Sequence, residues 1–131
     1  AGWHVPTNDD FIILENYLIA NGYNYDGSTT ENKIAKSLCA KTNWEFSYNV
    51  GAPGSTPENN NSSGFTALPG AEREWGFGKF SPLGYWGHWW SSTEYTDYYA
   101  YYWELGRNII YVGRSGLGDK QQGYSVRLVK D

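Results

Sequence analysis

Residues 84–103 read GYWGHWWSSTEYTDYYAYYW, and ten of these twenty positions are Trp or Tyr. Rings this dense cannot all enter one core along an extended strand, because alternate side chains leave on opposite faces. If the stretch is extended, several large rings face solvent or something bound. Trp and Tyr suit a contact surface, with large flat area, few rotatable bonds and a polar tip that tolerates water. The competing reading is an ordinary hydrophobic core with a surplus of Tyr.

The chain has 131 residues, the size of one domain, and can bury a core without disulfide staples. Its single Cys39 cannot form an internal disulfide and reads as a small buried hydrophobe. A cysteine nucleophile needs a His base, and the two histidines, His4 and His88, are both distant in sequence. The net charge of −4, with no Lys/Arg run, argues against a nucleic-acid partner. No apolar run approaches the ~20 residues of a membrane span. With no starting Met and no signal peptide, residues 1–131 read as one domain excised from a longer protein.

Taken in order, Gly2–Pro6 is a short extended segment. Thr7 offers an N-cap hydroxyl, and Asn8, Asp9 and Asp10 suit a first helical turn. Phe11, Leu14, Leu18 and Ile19 make one apolar stripe, and Asn21-Gly22 supplies a stop, so a helix is expected over 8–20. A second helix is expected over 30–40, with Ile34, Ala35, Leu38 and Cys39 on one face. Trp44 and Phe46 are expected to pack against these helices. Residues 47–64 lack periodicity and read as a long surface loop. Asn60 and Asn61 each fit the glycosylation pattern. Glu58 and Asn59–Asn61 could offer oxygens to Ca²⁺, although the ordered spacing of a calcium loop is missing. Residues 71–79 read as irregular.

Gly106-Arg107 between two Tyr-rich apolar runs suits a two-residue hairpin, with strands at 99–105 and 108–113. That register pairs Trp103 with Ile110 and Tyr101 with Val112 on a core side that also holds Leu105. It leaves Tyr102, Glu104 and Tyr111 on an open side. Residues 115–123 read as a loop and 124–129 as the last strand. No cofactor, metal or redox thiol is expected to be needed.

Four phrases, GWHVPT, SSGFTALPG, GHWWSSTEY and GYSVRLVKD, fall in an order that resembles the major paralogous domain first named from Fibrobacter succinogenes and common in Bacteroidetes surface proteins. The resemblance runs from Gly2 to Asp131. It implies an α+β fold of the C-type-lectin-like kind, on the branch related to formylglycine-generating enzymes. Two helices would flank a small twisted antiparallel sheet, with the first and last strands paired. It also implies an exported, extracellular or cell-surface protein. Some family members look like targets of diversity-generating retroelements, and residues 95–114 are what such a varied face would look like. Two features depart from the wider fold. Formylglycine-generating enzymes use cysteines in the C-terminal part, whereas Cys39 lies early. The Glu-Pro-Asn, Gln-Pro-Asp and Trp-Asn-Asp triplets of calcium-dependent lectins are absent.

The expected function is therefore a non-catalytic, calcium-independent module that binds a glycan. Its site would be an open face of Trp86, His88, Tyr98, Tyr102, Glu104, Tyr111 and Arg114. Sugar rings stack on Trp and Tyr, while carboxylate and imidazole groups bond hydroxyls. Trp89 and Trp90 are assigned to structure. The alternative is an adhesin, or a phage or pilus tip domain, that binds a protein receptor. An enzyme built on Asp97 and Glu104 would need a defined carboxylate separation and a cleft, which sequence does not supply.

Overall fold

The computed structural model describes residues 2–131. The chain is α+β. Strand β1 (Trp3–His4) leads into helix α1 (Asn8–Ala20), then a single-turn helix α2 (Ala35–Leu38) and a 3₁₀ turn at Pro57–Asn59. Three longer strands follow, β2 (Trp86–Glu94), β3 (Tyr99–Gly106) and β4 (Gly113–Asp119), and the short β5 (Val129–Lys130) closes the chain. β2, β3 and β4 form one antiparallel sheet in that order, while β1 and β5 form a second, so the first and last strands are paired.

Helix α1 starts and stops where its sequence directs. The Asp10 amide donates to Thr7 Oγ1 and the Thr7 amide donates to Asp10 Oδ2, a reciprocal cap that satisfies two otherwise orphaned donors. Phe11 and Leu18 are buried, with Leu14 and Ile19 partly so, and the helix packs on β2 and β3. There Phe11 stacks on Trp103, with ring centroids 4.5 Å apart and planes 18° apart. Ile34, Leu38, Cys39, Trp44, Trp89, Leu105 and Val112 complete the core.

The second helix is far shorter than 30–40. Buried Asn24 takes over residues 28–33 as a side-chain staple. Its Nδ2 donates to the Ser28, Thr30 and Glu31 carbonyls, and its Oδ1 accepts from the Lys33 amide. Glu31 adopts a positive φ of 63°, which no helix interior accommodates. Trp44 is buried as expected, but Phe46 is exposed. The 47–64 segment is not all surface: Ala52, Pro53 and Asn60 are buried, and Asn60 Nδ2 donates to the Ala40 and Pro53 carbonyls.

The expected two-residue hairpin does not form. β3 runs as placed, but its partner is β4, with Trp103 opposite Arg114 and Tyr102 opposite Ser115. Residues 107–112 are a loop whose backbone is bonded elsewhere. Asn32 mimics a strand edge, accepting from the Val112 amide and donating to its carbonyl, at 3.0 and 3.1 Å. The Ala35 amide donates to Ile110 O, and Asn49 Nδ2 to Asn108 O. Half of the expected 115–123 loop is thus strand β4. Of the expected last strand only Val129 falls in a regular strand, β5, although Ser125 bridges Trp89 in parallel.

The two chain ends are tied by His4. Its Nδ1 lies 2.7 Å from Asp131 Oδ1 and its Nε2 lies 3.2 Å from Asp10 Oδ2. Both ring nitrogens therefore face carboxylates, and the imidazolium form can donate to both. The bond to Asp131, then that to Asp10, raises the His4 pKa above its usual 6.5. Asp10 is lowered, mainly by the Thr7 hydroxyl and amide. The signs are opposite. The His4 contribution is full below its unfolded pKa and fades as pH rises through the folded one. The Asp10 contribution is full above its unfolded pKa and fades as pH falls through the folded one. The β1–β5 pairing should be tightest at about pH 4.5–6. An NMR titration should find His4 titrating above 6.5, and Asp131→Asn should bring it back toward that value. An unmoved His4 in the variant would remove Asp131 as the cause.

Candidate functional site

On β2, Trp86, His88 and Trp90 alternate with Gly87 and buried Trp89, so period two puts these three on the face away from the core. β3 adds Tyr102 and Glu104, since Trp90 pairs with Tyr102 and His88 with Glu104. The neighbouring backbone leaves room for the rings. A Cβ on Gly118 would sit 2.6 Å from Trp90 Cζ3 and 2.8 Å from Tyr102 Cδ1, and one on Gly106 would sit 2.7 Å from Trp86 Cζ3. Glycine at these positions lets the rings lie flat across the sheet, which compensates for the bare backbone beneath them.

The centre of the cluster comes from outside the sheet. The Ser125 amide donates to His88 O and the Trp90 amide to Ser125 O, which lays the 123–126 segment along β2. Tyr124 then stacks 4.8 Å from the His88 ring, 4.3 Å from Trp90 and 5.1 Å from Tyr102. The Trp86 ring closes the other side, 6.1 Å from His88. His88 is consequently only 7% exposed and forms the floor of the face rather than its surface.

Two carboxylates flank this floor. Glu104 Oε2 lies 3.5 Å from His88 Nε2, and Glu72 Oε2 lies 3.9 Å from Nδ1. Both separations are too long for good hydrogen bonds, and Nδ1 is buried without one. Burial, then the Glu104 charge, pushes the Tyr102 phenol up; burial, then the Glu72 charge, pushes Tyr124 up further. Both phenols are thus held protonated as donors. Tyr124 Oη donates to Gln122 Oε1 at 2.7 Å. The result is an aromatic surface with acidic acceptors, suited to a ligand with apolar faces and hydroxyl donors.

Of the residues expected from sequence, the fold brings Trp86, His88, Tyr102 and Glu104 together. Tyr98 lies in the β2–β3 turn, with its ring 75% exposed and outside this cluster of stacked rings. Tyr111 is exposed on the 107–112 loop and does not oppose Tyr102. Arg114 belongs to the opposite face: it pairs with Trp103 and its Nε donates to Glu15 of α1 at 3.1 Å. The misplacements of Tyr111 and Arg114 follow from the hairpin register. Three contributors were not expected. Trp90 was legible, because it shares parity with Trp86 and His88. Glu72 and Tyr124 arrive through irregular segments with no periodic signal.

Cys39 is fully buried, and its thiol is pushed well above the usual value by that burial, the opposite of an activated nucleophile. Among the described residues, no group of three or more His, Cys, Asp or Glu is arranged to hold a metal ion. No helix among them is long and apolar enough to cross a membrane.

No curated protein and no solved structure matches the chain. The family model described as Fibrobacter succinogenes major domain matches residues 1–130. With that match spanning nearly every position, the chain belongs to the Fibrobacter succinogenes major domain family.

Proposed function

We propose that this domain is a non-catalytic binding module that recognises a glycan through the face of Trp86, Trp90, Tyr102 and Tyr124, with Glu72 and Glu104 accepting from sugar hydroxyls. The observation that carries this reading is the half-exposed ring cluster flanked by two carboxylates. Sugar rings present C–H faces to aromatic walls and O–H groups to acceptors, and this surface offers both. We propose further that the fold is C-type-lectin-like, that binding is calcium-independent and that the protein is exported. A protein receptor is the second reading. It draws on Trp75, Phe77, Phe80 and Leu83, all exposed on the neighbouring 72–85 segment, which would enlarge the apolar contact area.

A glycan array, run beside a pull-down from cell-surface extracts, separates the two readings. On the ligand so found, Trp86→Ala and Tyr102→Ala should each weaken binding by about 1–3 kcal/mol in calorimetry. Their melting curves should report a smaller stability loss, about 1 kcal/mol, because both rings are only half buried. Unchanged affinity in both variants would remove the face from consideration.

A further inference from the structure

A second cavity lies away from the aromatic face, between the turn after α1, helix α2 and the 50–62 segment. It has a volume of about 460 Å³, and its lining includes Tyr23, Tyr25, Lys36, Asn59 and Ser62. Lys36 is the unusual member. It is 8% exposed, and its ammonium donates to the Ser55 and Thr56 carbonyls, the latter at 3.0 Å. No carboxylate among the described residues forms an ion pair with it; Glu58 acts on it only through its field. Two carbonyls leave one of its three protons free. A cation taken out of water without a counter-charge is costly, and an anion delivered to it recovers part of that cost.

The remaining lining narrows the anion. Tyr25 lies with its ring flat on Gly51, where a Cβ would overlap it, so the aromatic wall is held in place. Tyr23 and Tyr25 supply phenols, exposed Asn59 an amide and exposed Ser62 a hydroxyl. This mixture of one aromatic wall, several neutral hydrogen-bonding groups and one ammonium suits a hydroxylated ring that carries a carboxylate. A bare inorganic anion would leave most of the volume empty, and an alkyl chain would waste the polar rim. We propose that the cavity is a binding site for a uronic acid unit, its carboxylate on Lys36 and its ring against Tyr25. This site is independent of the sheet face, so either can fail without the other.

The test is a titration of the isotopically labelled domain with sodium glucuronate or galacturonate, followed by amide chemical shifts. Neutral glucose and sodium sulfate serve as comparisons. Saturable shifts are expected for residues 23–25, 36–37, 50–51 and 56–62, with glucose at least about tenfold weaker. Lys36→Met should weaken the uronate by about tenfold or more. Because Lys36 also ties the 55–56 carbonyls, Ser62→Ala and Asn59→Ala are run alongside. Both residues are exposed, and each loss should be about threefold to tenfold with the spectrum otherwise preserved. Sulfate binding as tightly as uronate at the same residues would reduce the site to anion attraction and overturn the sugar assignment. Shifts confined to the aromatic face, equal binding of glucose, or no saturable shifts would also overturn it.

Discussion

Trp103→Ala should destabilise the domain by about 3–5 kcal/mol, the cost of truncating a large aromatic in a packed core. Trp103 is 0% exposed, stacks on Phe11 at 4.5 Å and lies 6.1 Å from the Phe65 ring. It is therefore where helix α1, strand β3 and the 65–68 segment meet, and no single neighbour can fill the space it leaves. Its indole N–H is buried without a partner, so the native side chain already carries a desolvation penalty. Trp103→Phe removes that donor and keeps a ring against Phe11. Its cost should be well below that of the Ala variant, about 1–2 kcal/mol. Urea titrations with an unchanged m-value would read both losses. An Ala loss below about 1 kcal/mol would mean that Trp103 does not anchor the core.

Helix α1 was legible because its determinants are local: Thr7 and Asp10 cap each other across one turn, and Phe11 and Leu18 fall on one stripe. The inward face of β3 was legible for a related reason. Trp103 and Leu105 share parity, and parity survives an error in the turn that follows. What failed depended on side chains that substitute for backbone. Asn24 breaks the start of the second helix, and Asn32 pairs with Val112 as a strand would. Neither leaves a periodic trace. Strand β4 was hidden by its own glycines. Gly116 and Gly118 read as loop and Gly113 as the end of the expected hairpin strand, yet the space over Gly118 holds the Trp90 and Tyr102 rings. The aromatic stretch and the glycine-rich stretch are complementary, and complementarity between distant segments is not visible in either one alone. Tyr124 reaches the site through a single bridge at Ser125, which the even strand pattern expected over 124–129 would not single out.

The register that hid β4 also reassigns Arg114, and the largest electrostatic effect in the domain should follow from it. Glu15 on α1 is 7% exposed and faces the sheet. Its carboxylate accepts from Arg114 Nε at 3.1 Å and from Asn32 Nδ2 at 2.9 Å. Burial raises the Glu15 pKa above 4.5, more than Arg114 and Asn32 lower it. For an acid, a raised folded pKa means that ionisation opposes folding. Stability tied to this group is therefore greatest below its unfolded pKa and declines as pH rises through the folded one. Arg114→Ala removes the main counter-charge, pushes that pKa higher and strands a carboxylate inside the protein. At about pH 7 the loss should be about 2–3 kcal/mol, less than for a fully buried pair because the arginine side chain is 35% exposed. At about pH 4.5 the loss should shrink, since the stranded group can then protonate cheaply. The acid loss of the Thr7–Asp10 cap is common to both proteins and cancels in the comparison. Glu15→Gln keeps the shape and removes the charge, so adding it to Arg114→Ala should recover part of the loss at neutral pH. A loss that is independent of pH, or a double variant no more stable than Arg114→Ala alone, would show that Arg114 serves by packing and not by neutralising Glu15.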